Sequence, residues 1–131
     1  MSRTRAREIA FQLLCSLDLH KGYTPTKALA HDEEFDGLAE EEREFAAMLV
    51  KKVFKVRKQL DAAYAGFLKD WTVDRLATVD RNLLRLAIFE IQEQITPVQV
   101  VINEAIELAK TYGTEDSPKL IHGILGSLLR Q

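Results

Sequence analysis

One cysteine, three prolines and six glycines in 131 residues rule out several kinds of protein at once. A lone Cys15 can close no internal disulfide and complete no multi-cysteine metal site, and its place in a helical pattern gives it the role of a small buried residue. No apolar run approaches the roughly 20 residues needed to cross a bilayer. The N-terminus is arginine-rich but has neither the apolar core nor the cleavage site of a signal peptide, so the reading is a cytoplasmic protein with no membrane partner. No glycine-rich phosphate loop follows a strand, and convincing strands are absent. The acidic stretch lacks the alternating oxygen ligands and central glycine of a calcium loop, and His20, His31 and His122 stand at unrelated positions without metal spacing. Asp80 and Glu90 are the only carboxylates that suggest a catalytic pair, and no nucleophile or histidine stands near them in the pattern. Neither a cofactor nor an enzymatic activity is predicted.

What is present is a globular composition, 47% apolar, enough to fill the core of one domain or of two small subdomains. The net charge of −2 argues by itself against a nucleic-acid partner. Its distribution does not, because eight acids crowd between Asp32 and Glu44 against the single base Arg43. Without that segment 17 bases face 12 acids, a balance of +5 that allows a locally basic surface.

Hydrophobic spacing reads as helix almost throughout, six or seven in all. In the first, Ala6, Ala10, Leu13 and Leu17 form a stripe with Leu14 beside it. Arg3, Arg5 and Arg7 precede any acid there, opposing the helix macrodipole, and three such charges point either to an external anion or to a merely solvated end. A connection rich in Gly, Pro and acids follows, with a short helix over 26–30. The acids read as a solvated segment whose last part supplies favourable charge to the next helix start. Residues 39–68 read as one long helix, bent if not straight, with Phe45, Leu49, Val53, Val56, Leu60 and Tyr64 on its core side. Lys51, Lys52, Lys55, Arg57 and Lys58 lie on its polar side, as a solvated face or a secondary nucleic-acid contact. Phe67 and Trp71 read as packing at the seam between halves. A short turn of helix, VDRLATV, leads into a central, largely buried helix, where Arg81, Arg85 and Gln92 share a narrow polar strip. Asp80 and Glu90 lie near its apolar side and need a base or backbone partner there.

The stretch TPVQVVINEAIELAKTYGTEDSP carries the clearest signals. Thr96 can cap a helix beginning at Pro97 and ending at Tyr112, with Gly113 after it. Val98, Val101, Ile102, Ala105, Ile106, Leu108, Ala109 and Tyr112 share one face, and only Val100 breaks the partition. Asp116 or Ser117 can cap the last helix, which has Pro118 near its start and buries Leu120, Ile121, Ile124, Leu125 and Leu128. Gly123 and Gly126 inside that helix suggest close approach of a neighbouring backbone.

This stretch through KLIHGILG, with DRNLLRLAIFEI before it and RTRAREIAFQLL at the start, resembles the NusB family of bacterial transcription antitermination factors. The resemblance covers both ends of the chain and leaves the acidic connection as the poorly matched part. It implies an all-α fold of about seven helices in two packed three-helix bundles, a single domain over 1–131 with an N-terminal subdomain over 1–70 and a C-terminal one over 71–131. It implies no enzymatic activity. It also implies pairing with the ribosomal protein that doubles as NusE, binding of boxA-type single-stranded RNA in nascent ribosomal RNA transcripts, and action in the antitermination complex of RNA polymerase. Carried onto this chain, Arg3, Arg5 and Arg7 would meet phosphates, Tyr112 would offer a stacking platform, Asp116 would accept from a base edge, and Lys119 would meet phosphate. For Asp116 the rival role is a helix N-cap. The partner-protein surface maps onto Asp80, Arg81 and Arg85, and the acidic segment would complement a basic ribosomal protein. The resemblance also allows a homodimer. Cys15, Gln99 and Leu120 depart from the family where an aromatic or a base is common, which weakens those RNA contacts.

Three other readings stand beside this one: a NusB-like module of the kind joined to ribosomal RNA cytosine methyltransferases, a small helical enzyme, and an adaptor with a different RNA or protein target. The first would need a further domain and a glycine-rich cofactor motif, the second a pocket of convergent perturbed carboxylates. The third, if it binds protein alone, predicts no basic groove at the first helix.

Overall fold

The computed structural model describes residues 3–69 and 71–131. Among them are eight α-helices and no strand: α1 Arg3–Leu19, α2 Pro25–Ala30, α3 Glu33–Asp36, α4 Glu40–Lys55, α5 Arg57–Ala65, α6 Thr78–Gln92, α7 Val98–Tyr112 and α8 Ser117–Leu129. A 3₁₀ turn over Val73–Arg75 precedes α6. Among the described residues no helix is long and apolar enough to cross a membrane.

The long helix expected over 39–68 is two helices. Val56 leaves helical geometry, with φ −107° and ψ 19°, while its N–H still reaches the Lys52 carbonyl at 3.2 Å. The chain forms two compact units that meet in sequence at this break, Met1–Val56 and Arg57–Gln131.

In the first unit α1 packs on α4, and the short helices α2 and α3 each rest against both. The predicted stripe Ala6, Ala10, Leu13, Leu14 and Leu17 is buried, as are Phe45, Ala46, Leu49, Val50 and Val53 on α4. The connection is more structured than its composition suggests, because polar side chains cap its short helices. Thr24 Oγ1 accepts from the Lys27 N–H at 3.2 Å, and Asp32 Oδ1 accepts from the Phe35 N–H at 2.7 Å. Glu40, Glu41 and Glu42 fill the first turn of α4, and Lys52 and Lys55 its last, so both ends complement the macrodipole. That placement gives the lysines a structural role without a ligand. Cys15 is half-buried rather than a core residue.

In the second unit α6 is the centre, packing on α5, α7 and α8, while α7 also packs on α8. It buries Leu83, Leu84, Leu86, Ala87, Ile88 and Phe89. Its end is a Schellman cap: the Ile95 N–H reaches back to the Glu90 carbonyl and the Gln94 N–H to that of Ile91, each at 3.2 Å. The left-handed position falls on Gln94, at φ 53°, instead of on a glycine. The reading of Thr96 as a helix cap is corrected here. Its hydroxyl donates to Glu90 Oε1 at 2.9 Å, so α7 begins one residue later than predicted, with Pro97 at the cap position and no side-chain cap bond. The fully buried Glu90 thus has a partner, a side-chain hydroxyl where a base or a backbone group was expected. Val100 is exposed, as its place off the apolar face implies, and Val98 is exposed with it.

Close packing is not what Gly123 and Gly126 serve. A Cβ at Gly123 would meet nothing within 4 Å, and one at Gly126 would meet only the tip of Arg130, at 3.2 Å. Each forgoes about 1 kcal/mol of helix propensity relative to alanine with no neighbour requiring it.

Candidate nucleic-acid interface

The first turn of α1 places its arginines in three different environments. Residues 3 and 7, one helical turn apart, share a face, and both guanidinium groups lie over the Phe45 ring of α4, at 4.3 Å and 5.4 Å from its centroid. Arg3 stays exposed; Arg7 is only 4% exposed. The expectation of three solvent-facing cations is therefore corrected at Arg7, whose side chain joins the α1–α4 packing. Arg5 points elsewhere and is paired twice, with Glu8 at 2.6 Å and with Glu34 of α3. The acidic connection, read as a solvated segment, thus returns to neutralise part of the basic end. An incoming phosphate has to take the place of a carboxylate at Arg5.

The α7–α8 corner is built around Gly113 and Ser117. The Gly113 N–H bonds to the Ala109 carbonyl at 2.9 Å, and the Ser117 side chain lies so close that a Cβ on Gly113 would press into it and come within 2.8 Å of that same carbonyl. The glycine is required by this approach. Buried Ser117 Oγ accepts from the Thr114 N–H at 3.0 Å, and the Ser117 N–H returns to the Thr114 carbonyl at 3.1 Å. Asp116 occupies the N-cap position of α8 but makes no side-chain cap bond, so capping does not consume its carboxylate. Asp116 and Lys119 are exposed and Tyr112 is half-buried. The corner therefore presents a carboxylate, an ammonium and part of a phenol ring.

The residues mapped to a partner protein are less available than a surface strip would be. Arg85 is 7% exposed and forks onto Asp61 of α5, Nε to Oδ1 at 2.8 Å and Nη2 to Oδ2 at 2.7 Å. Tyr64 donates its hydroxyl to the same Oδ1 at 3.1 Å. Burial first, and then the Asp61 charge, push the Tyr64 phenol well above its ordinary value of 10.0. Arg81 uses one nitrogen on the carbonyls of Val73 and Leu76, at 3.0 and 3.1 Å, which ties the 3₁₀ turn to α6. The exposed polar strip predicted for Arg81 and Arg85 is thus corrected: Arg85 is interior and Arg81 is half-buried. At the start of α6, the base or backbone partner expected for buried Asp80 is missing at Oδ1, which accepts no hydrogen bond among the described residues.

No group of three His, Cys, Asp or Glu among the described residues could hold a metal. Trp71, expected in packing, is 58% exposed and borders a groove of about 360 Å³ on the second unit. The cue available in the sequence was its position between charged and polar neighbours, Lys69, Asp70 and Thr72, outside any helical stripe.

Comparison with known proteins gives a consistent result. The NusB family matches residues 4–130. The chain is 41% identical to a transcription antitermination protein NusB of Symbiobacterium thermophilum, over 99% of this chain and 90% of that one, and 44% identical to one of Desulforamulus reducens, over 98% and 90%. Among solved structures it is similar to T. maritima NusB, with TM-score 0.91 and 29% identity over 100% of this chain and 92% of that one. It is also similar to a chain in the crystal structure of antitermination factors NusB and NusE in complex with dsRNA, with TM-score 0.87 and 28% identity over 98% and 96%.

Proposed function

The chain belongs to the NusB family, and on that footing we infer that it is a transcription antitermination factor that works by binding, pairing with NusE and engaging boxA-type RNA of nascent ribosomal RNA transcripts. It acts as one domain over 1–131, in the cytoplasm, within the antitermination complex of RNA polymerase. The observation that carries this reading is the family match across almost the whole chain, joined to similarity with a solved NusB that is in complex with NusE and RNA.

Residue roles follow from what each side chain is free to do. Arg3 and Arg5 in the first unit, and Lys119 in the second, supply phosphate contacts, which depend on charge and not on sequence. Asp116 has its carboxylate uncommitted to a cap and accepts from a base amine, while the Tyr112 ring offers a partial stacking face. Arg7 contributes indirectly, by fixing Phe45 and with it the start of α1. On the protein-binding side, Asp80 stands at the start of α6 with an enclosed Oδ1 that accepts no hydrogen bond among the described residues, so a partner N–H reaches that atom only if the start of α6 moves. Arg81 ties the preceding 3₁₀ turn to α6, and Arg85 ties α6 to α5.

The test is a titration of labelled boxA-like single strand, a scrambled strand and the boxA-like sequence as a duplex, at two salt concentrations, with and without NusE. Tighter binding of the boxA-like single strand when NusE is present is the expected result. Equal binding of all three RNAs, unaffected by NusE, would overturn the assignment. Preference for the duplex would retain the family role and reject single-strand recognition.

A further inference from the structure

The second unit carries a groove that these roles touch only at Lys119. Its walls are Phe67 and Trp71 from the segment after α5, and Leu120 and Ile124 from α8. Lys69 and Lys119 stand at it, and no carboxylate lines it among the described residues. Both lysines are exposed, and neither has a hydrogen-bond or ion-pair partner among the described residues. Trp71, the only tryptophan of the chain, leaves 58% of its surface in solvent, an unusual cost for so large an apolar ring.

Gly123 explains why the groove is open. It lines the groove from the middle of α8, where a glycine weakens the helix, and a Cβ there would touch nothing within 4 Å. Packing does not ask for a glycine at this position. The space that its missing side chain leaves is the space of the groove.

We propose that this groove holds one nucleobase of a bound single-stranded RNA, stacked on the Trp71 indole above Gly123, with Lys69 and Lys119 meeting the phosphates on either side. The flat aromatic wall fits a base face, which stacks well whatever its sequence. Two exposed cations fit a polyanion; an apolar peptide would gain nothing from them, and a cationic one would be repelled. A duplex keeps its bases inside and cannot place one here. The proposal rests on the RNA-binding reading above, extends it by a subsite around Trp71 and Lys69, and gives Lys119 a neighbour.

Because Trp71 is the only tryptophan, its emission reports on this groove alone. The experiment follows tryptophan fluorescence and the anisotropy of a labelled boxA-like single strand in the same titration of the full chain, with NusE added in a second series. Quenching that tracks the anisotropy is the expected result. Trp71→Ala should then weaken binding about 5- to 150-fold, the range for losing one stacked base, and Trp71→Phe should retain most of the affinity. Gly123→Leu, which fills the groove from its floor, should weaken binding like Trp71→Ala, with circular dichroism unchanged. Lys69→Ala should lower the slope of log affinity against log salt by about 0.7. RNA binding with constant emission and an unaffected Trp71→Ala variant would overturn the proposal while leaving the RNA-binding reading intact. Emission that responds to NusE and not to RNA would also overturn it, by making the groove a protein contact. Absence of any RNA binding, with or without NusE, would instead sink the functional reading and this subsite with it.

Discussion

Arg85 of α6 holds Asp61 of α5 by two parallel hydrogen bonds, 2.8 Å from Nε to Oδ1 and 2.7 Å from Nη2 to Oδ2, in a setting where both side chains are largely shielded from water. A fork of this kind is strong only while both halves are present. Asp61→Ala strands a buried guanidinium and should destabilise the protein by about 3–5 kcal/mol, read as a lower urea midpoint with an unchanged m-value. Replacing both partners, Asp61→Leu with Arg85→Met, should recover most of that loss. A single variant as stable as the parent would show that the pair contributes little to holding α5 on α6.

Tyr64 shares the same carboxylate and gives stability an alkaline limit. Its folded pKa lies above the unfolded value of 10.0, because burial and the Asp61 charge both disfavour the phenolate. Below pH 10 both states are protonated and this group contributes no slope. Above it the unfolded chain loses a proton that the folded chain keeps, so stability should fall by about 1.4 kcal/mol per pH unit. Tyr64→Phe should remove that part of the slope above pH 10, at the cost of the 3.1 Å hydrogen bond to Asp61. Identical alkaline profiles for the two proteins would contradict the assignment.

Gln94 sits at φ 53° in the Schellman cap of α6, a conformation that costs a residue with a Cβ about 1 kcal/mol or more. Gln94→Gly relieves that strain but adds unfolded-state freedom, so the net gain should be below about 1 kcal/mol. Gly113→Ala runs the other way. The new Cβ meets the Ser117 side chain and the Ala109 carbonyl, and about 1–3 kcal/mol should be lost as the corner opens. Thermal unfolding of the two variants should therefore shift in opposite directions, with the larger change at Gly113.

The helices were legible because each signal is local. The apolar stripe of α1, the encircling apolar surface of α6, and the start of α2 and end of α7 depend on residues within a turn or two of one another. Three of the errors share one physical cause: the deciding partner lies on another element. Arg7 reads as a surface cation until Phe45 of α4 covers it, and Arg85 reads as part of a polar strip until Asp61 of α5 meets it. Thr96 reads as a cap because its hydroxyl could reach α7; the hydroxyl serves Glu90 at the end of α6 instead. Gly123 and Trp71 invert the pattern, since a helical glycine and a tryptophan both suggest close packing and both border open space here. Spacing gives the face on which a residue lies, but not what occupies the other side.

Glu34 offers a way to test how the basic end of α1 works. Its carboxylate and that of Glu8 both pair with Arg5, so this exposed cation is already partly neutralised. Both ends of the Arg5–Glu34 pair are about half exposed, so the pair itself adds little to stability. Its effect should instead appear in binding. Phosphate has to displace the carboxylate, and Glu34 also repels the approaching backbone. Glu34→Gln should leave the urea midpoint nearly unchanged while tightening RNA binding several-fold at low salt, with the gain shrinking as salt screens the charges. Arg5→Ala should weaken binding, lower the salt slope by about 0.7, and abolish the benefit of Glu34→Gln in the double variant. Additive effects would mean that Glu34 acts through long-range repulsion alone; loss of the benefit in the Arg5→Ala background identifies the ion pair as the gate to that phosphate contact.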